Sequence, residues 1–77
     1  MQPVTATTDF SGSALRRCRT ARGFTCPELA EIAGCSEAMI HVLEQGKARP
    51  SVPLLCRLAD ALGTHPAVLF TGVEDRR

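Results

Sequence analysis

The stretch Thr25-Cys26-Pro27-Glu28-Leu29-Ala30-Glu31-Ile32-Ala33-Gly34-Cys35-Ser36-Glu37-Ala38-Met39-Ile40-His41-Val42-Leu43-Glu44-Gln45-Gly46 decides the architecture. Thr25 followed three residues later by Glu28 is the signature of a capping box, and Pro27 falls in a first turn, where a missing N–H costs nothing. Leu29, Ala30 and Ala33 share one helical face, and Gly34 can take the positive φ that stops a helix. Ser36 then caps a second helix, on which Met39, Ile40 and Leu43 are apolar at helical spacing before Gly46 closes it. The spacing predicts helices over 27–33 and 36–45 around a tight Gly34-Cys35 turn, the dimensions of a helix-turn-helix. Ala30 lets the second helix approach the first closely, and Cys35 fits a small apolar slot under the turn.

Upstream of the pair, Ala14, Leu15, Cys18 and Ala21 fall on one stripe with Arg16, Arg17, Arg19 and Arg22 away from it, and Gly23 ends that helix. Downstream, Lys47-Ala48-Arg49-Pro50 breaks the pattern. Ser51 and Pro53 open a fourth helix carrying Val52, Leu55, Cys56, Leu58, Ala59 and Leu62, which Gly63 closes. A last helix is expected from Thr64 or His65, with Pro66 in its first turn, ending by Phe70. Strand signals are missing, so the predicted class is all-α with five helices. Residues 1–10 read as a flexible arm, 11–70 as the helix-turn-helix domain and 71–77 as a polar tail.

A chain of 77 residues has room for one domain and not for a second catalytic lobe. An enzyme needs a nucleophile, a base and an oxyanion site gathered in a pocket that so small a bundle hardly has room to form, so no catalytic residue is assigned and the chain is read as a non-enzyme. The first ten residues lack both a basic group and the apolar run of a signal peptide, which points to a cytoplasmic protein with reduced thiols. No apolar run approaches a membrane span. Cys18, Cys26, Cys35 and Cys56 contain no C-x2-C or C-x4-C pair, so no metal and no cofactor are expected. Cys26 is the exception: a helix start with arginines nearby can lower a thiol pKa, and the position is expected to be exposed. The net charge of +1 says little about partners, but four of the nine basic residues cluster within 16–22 and two more, Lys47 and Arg49, flank a turn.

The longer pattern is more specific. Leu15-x3-Arg19-x2-Arg22-Gly23-Phe24-Thr25-x2-Glu28-Leu29-Ala30-x3-Gly34-Cys35-Ser36-x3-Ile40-x2-Leu43-Glu44-x-Gly46-Lys47-x2-Pro50-Ser51, continued by Leu55-x2-Leu58-Ala59-x-Ala61-Leu62-Gly63 and Leu69-Phe70, resembles the lambda-repressor/Cro-like, or XRE, helix-turn-helix family. The resemblance implies a sequence-specific transcriptional regulator, a repressor type, bound to double-stranded DNA as a homodimer at least on DNA. It implies that helix 36–45 lies in the major groove, with Glu37, Ala38 and Met39 nearest the base edges and His41 and Val42 next. It places a phosphate at the backbone N–H groups near Thr25 and Cys26, and further phosphates at Lys47, Arg49 and one of Arg16, Arg17 or Arg22. Arg19 and Glu44 fill the slots of a structural ion pair.

The chain departs from the family where readout is concerned. Glu37, Ala38 and Val42 stand where relatives more often carry Gln, Arg, Asn or Ser, and residues 36–45 hold no Lys or Arg. Glu37 can still accept from a cytosine amino group, and Ala38, Met39 and Val42 can pack on thymine methyls. The rival reading is a helix-turn-helix turned to a protein partner, as a protein-interaction module or antitoxin-like subunit. It rests on Ile32, on Leu54, a quarter turn or more off a core stripe centred on Leu55, Ala59 and Leu62, and on Val68. Leu54 with Pro66 to Phe70 is also the expected dimer contact.

Overall fold

Each helix begins at a side-chain cap that supplies an acceptor for a backbone N–H left open by the helix geometry. In the computed structural model, which describes residues 10–70, Ser11 caps α1 (Gly12–Ala21), Thr25 caps α2 (Cys26–Ala33), Ser36 caps α3 (Glu37–Glu44) and Ser51 caps α4 (Val52–Leu62). The arm expected over 1–10, apart from Phe10, and the tail over 71–77 lie outside the described residues. Gly34 and Gly63 end α2 and α4 in the left-handed region, at φ 76° and 66°. Among the described residues no helix is long and apolar enough to cross a membrane.

The core is aliphatic. Leu15, Leu29, Ile40, Leu43, Leu58 and Leu69 are fully buried, one or two from every element, so each element is held by apolar area worth about 1.5–3 kcal/mol per side chain. α2 packs on both α3 and α4, and α1 packs on α3 and on the last turn. The two ends of the domain close on each other: Ser11 N–H donates to the Leu69 carbonyl at 2.7 Å, and Phe10 and Phe70 form an isolated antiparallel bridge with their rings edge to face.

Among the described residues the fold is all-α, with four α-helices and a 3-10 turn in place of a fifth helix. The turn spans Pro66–Leu69, capped by His65 Nδ1 accepting from Ala67 N–H at 3.0 Å. Four residues opened by a proline form too few i to i−4 bonds for an α-helix, and Phe70 is drawn into extended backbone by its bridge to Phe10.

Burial on α4 also differs from expectation. Leu54 is buried, at 7 % exposure, together with Leu58, Ala59 and Leu62, whereas Leu55 is only half-buried, Cys56 is exposed and Val52 is 73 % exposed. The helix is therefore turned so that Leu54 faces the core. On α1, Ala21 is exposed, because its last turn runs past the core.

Candidate nucleic-acid interface

The turn between α2 and α3 is fixed by one carbonyl: Ala30 O accepts from both Gly34 N at 2.9 Å and Cys35 N at 3.0 Å. Ala30 is buried at 4 % exposure, which lets α3 pass close across α2, and Cys35 tucks half-buried against the core. From the other side, Arg57 of α4 donates through Nε to the Ala33 carbonyl at 2.7 Å. That places a cation at the negative end of α2, where the dipole favours it.

α3 is tied to α1 at its C-terminal end. Arg19 Nε donates to Glu44 Oε2 at 2.6 Å, Nη2 to Glu44 Oε1 at 3.2 Å, and Nη1 to the Phe24 carbonyl at 2.9 Å, so the guanidinium forks over the carboxylate and also holds the loop before α2. The side chains are 13 % and 9 % exposed. Hydrogen bonding to Glu44 raises the Arg19 pKa above its ordinary value, against the opposing effect of burial. A few residues earlier, Gly12 lies directly against the Leu43 and Glu44 backbone carbonyls. The sequence contains no local sign of that close approach.

With Ile40 and Leu43 pointing inward, α3 turns Glu37, Ala38 and His41 to solvent, followed by its capping residue Gln45. Met39 and Val42 are half-buried, and Met39 packs on the core. Glu37 and His41 meet each other, Oε2 to Nε2 at 3.1 Å. Beside them an open cleft is lined by Arg16 and Arg19 of α1, Cys26 of α2, and His41, Glu44 and Gln45 of α3. Sequence reading did not single out Gln45, although its spacing of four from His41 and eight from Glu37 is the signal that puts it on their face.

The cations divide into two groups. Lys47 and Arg49 are exposed on the loop after α3, whose path is set by Gly46 at φ 77° and by the bond from Lys47 N–H to the Val42 carbonyl at 3.0 Å. Arg16 and Arg17 are exposed on α1. Arg22 instead reaches across to α4, with Nη1 donating to the Leu62 carbonyl at 2.9 Å, and so serves that helix end.

At the start of α2 the capping box is complete: Thr25 N–H donates to Glu28 Oε1 at 2.8 Å and Glu28 N–H to Thr25 Oγ1 at 3.2 Å. Pro27 has no N–H, so the donor left for an anion at this end is the backbone N–H of Cys26. The Cys26 thiol differs from expectation. It is half-buried, and burial pushes its pKa up, with Glu44 adding to the shift and Arg19 opposing it. Burial and Glu44 thus outweigh the nearby arginines, and the thiolate is disfavoured. The apolar patch expected from Ile32, Leu54 and Val68 is broken as well: Leu54 is in the core and Val68 half-buried, leaving Ile32 exposed at 54 %. Among the described residues, no group of three His, Cys, Asp or Glu side chains is placed to hold a metal ion.

Two short helices around a glycine turn, with the second buttressed from behind and open in front, define a helix-turn-helix protein. Residues 12–69 match the HTH_31 family, a helix-turn-helix domain, and the chain belongs to that family. It is 31 % identical over 63 residues to an SPbeta prophage-derived uncharacterized HTH-type transcriptional regulator, YonR, of Bacillus subtilis, a match covering 82 % of this chain and 58 % of that protein. The chain thus spans little more than half the length of that relative. Among solved structures it resembles the restriction-modification controller protein C.AhdI of Aeromonas hydrophila, with 34 % identity, a TM-score of 0.73 and coverage of 77 % of this chain and 89 % of that one. It also resembles the P22 c2 repressor solved in complex with a synthetic operator, with 26 % identity, a TM-score of 0.77 and coverage of 84 % and 98 %.

Proposed function

We propose that this chain is a sequence-specific, DNA-binding transcriptional regulator that inserts α3 into the major groove and occupies its operator as a homodimer. The observation that carries this reading is the mounting of α3. Its C-terminal end is locked to α1 by Arg19 and Gly12 while Glu37, Ala38 and His41 stay solvent-facing. A helix held this rigidly, with its polar face free and cations on the adjoining loop, suits docking against a charged groove. The P22 c2 repressor, similar over most of both chains, is known in complex with operator DNA. No catalytic role is assigned, in keeping with membership of a non-enzymatic regulator family.

Lys47 and Arg49, with Arg16 or Arg17, carry affinity through phosphates, and the Cys26 N–H adds one donor. Specificity rests on Glu37, Ala38 and His41, with Met39 and Val42 offering their exposed edges to thymine methyls. Selection of duplexes from a randomised pool tests the reading, the expected product being a two-fold symmetric sequence. Lys47→Ala and Arg49→Ala weaken binding to all duplexes alike, each lowering the salt slope by about one. Glu37→Gln changes the preference at one base pair by about 1–3 kcal/mol and raises affinity for random DNA, since it removes a negative charge facing the phosphates. If all three substitutions leave binding untouched, α3 does not enter the groove.

One α3 spans too few base pairs to be selective, so two chains are expected per operator, on half-sites about one helical turn apart. Leu54 is buried and cannot carry the contact between them. Sedimentation of the complex checks the stoichiometry, and one chain per selected duplex excludes the dimer.

A further inference from the structure

Apart from the ion pair with Arg19, α3 brings one open charge to its outer face. Glu44 is covered by Arg19, which leaves the Glu37 carboxylate as the formal charge that would meet DNA. An exposed carboxylate entering a groove walled by phosphates is repelled. Its nearest side-chain partner is His41, one turn along, with Nε2 at 3.1 Å from Glu37 Oε2 and both side chains half-exposed, at 51 % and 52 %. Histidine is the side chain whose charge changes near neutral pH.

We infer that Glu37 and His41 act as one base-reading unit, in which His41 holds the Glu37 carboxylate and takes up a proton as α3 enters the groove. The inference rests on α3 being the DNA reader. In the free protein the pair is exposed to water, which screens both groups. In the groove water is displaced and the phosphates add a negative potential, and both changes favour imidazolium beside carboxylate over neutral imidazole beside carboxylate. The other titratable groups lining the cleft with His41 are Arg16, Arg19, Glu44 and the Cys26 thiol. Arg19 and Glu44 neutralise each other, and the Cys26 thiol stays protonated because its pKa is raised. Arg16 alone opposes protonation, and a nearby phosphate would offset its charge. With Nε2–H given to Oε2, the remaining Glu37 lone pairs are aimed outward to accept from a cytosine amino group. The pair thereby becomes neutral overall while keeping an acceptor that reads sequence.

The sign follows from linkage. The complex binds more protons than the separate partners, so affinity rises as pH falls, by at most about tenfold per pH unit for each fully coupled proton. The test uses the full chain and the duplex recovered from a randomised pool, with binding isotherms measured across the neutral range at fixed salt. The wild type is expected to show a negative slope of log affinity against pH, approaching one proton per chain. His41→Gln, which can donate the hydrogen bond but cannot take a proton, flattens the slope. His41→Ala flattens it too and also loses preference for the cytosine pair that Glu37 reads, part of which Gln restores.

His65 is the other histidine, and its Nδ1 caps the last turn. His65→Asn keeps an acceptor there and leaves the slope in place. Because His41 is exposed, its variants should keep the wild-type thermal unfolding midpoint, and that measurement separates readout from folding. Specific binding with no pH slope, or a slope that survives His41→Gln, overturns the inference and leaves α3 as the reader. Failure to select any specific duplex overturns the reading of function, and the inference with it.

Discussion

Replacing Glu44 by Ala is expected to lower the unfolding free energy by about 3 kcal/mol, and replacing Arg19 by Ala by at least as much. The size follows from what each change strands. Without Glu44, the guanidinium keeps only the Phe24 carbonyl at 2.9 Å, in a site where its side chain is 13 % exposed. Without Arg19, a carboxylate that is 9 % exposed loses both of its donors, and the Phe24 carbonyl loses its side-chain partner as well. The double variant should cost clearly less than the sum, because neither charge is then left alone. Glu44→Gln should fall between, retaining an acceptor but not the charge. Urea titrations read the differences directly, and at about 4–8 °C per kcal/mol for a domain of this size the melting point falls by roughly 12–24 °C. DNA binding should weaken along with stability, since this pair sets the pitch of α3 against α1. Single variants that each stay within about 0.5 kcal/mol of wild type would show that water satisfies both groups and that the pair is incidental to the mounting of α3.

What the sequence made legible was local. The boundaries of α2 and α3 follow from Thr25, Glu28, Gly34 and Ser36, because a cap and its helix are neighbours in the chain and the hydrogen bonds that define them reach only three or four residues. The phase of α4 could not be read in this way. Leu54, Leu55, Leu58, Ala59 and Leu62 allow two overlapping stripes, and packing against α2 and the last turn selects the one that buries Leu54. Arg22 and Arg57 escaped for a related reason. Arg22 read as one of a basic cluster and Arg57 was not singled out, yet each ends on the carbonyl end of a helix 40 or 24 residues away, Arg22 on Leu62 and Arg57 on Ala33. On the candidate interface, the exposure of Glu37, Ala38 and His41 follows from helical periodicity once Ile40 and Leu43 are assigned to the core. The contact between Glu37 and His41 also has local spacing, i to i+4, and was available to a reading that looked for pairs instead of single base contacts.

Gly12→Ala is expected to destabilise the protein by about 2–3 kcal/mol, against the sign that helix propensity predicts. Glycine within a helix ordinarily costs about 0.5–1 kcal/mol relative to alanine, so on local grounds the substitution should help. The surroundings reverse this. Gly12 is buried at the start of α1, and a Cβ built there would lie 2.7 Å from the Glu44 carbonyl oxygen and closer still to that of Leu43. Both are backbone atoms, so no side-chain rotation relieves the clash. Glu44 is itself held by Arg19 on the same helix, α1, so α3 cannot slide away from Gly12 without loosening that pair as well. Relief therefore needs α1 and α3 to separate, opening the core around Leu15 and Leu43, which are both fully buried. Chemical denaturation measures the cost, and a duplex-binding titration reads the displacement of α3 as a loss of affinity beyond that explained by the unfolded fraction. An unchanged or raised midpoint for Gly12→Ala, with full DNA affinity, would mean that the two helices part easily and that α3 is positioned by the ion pair alone.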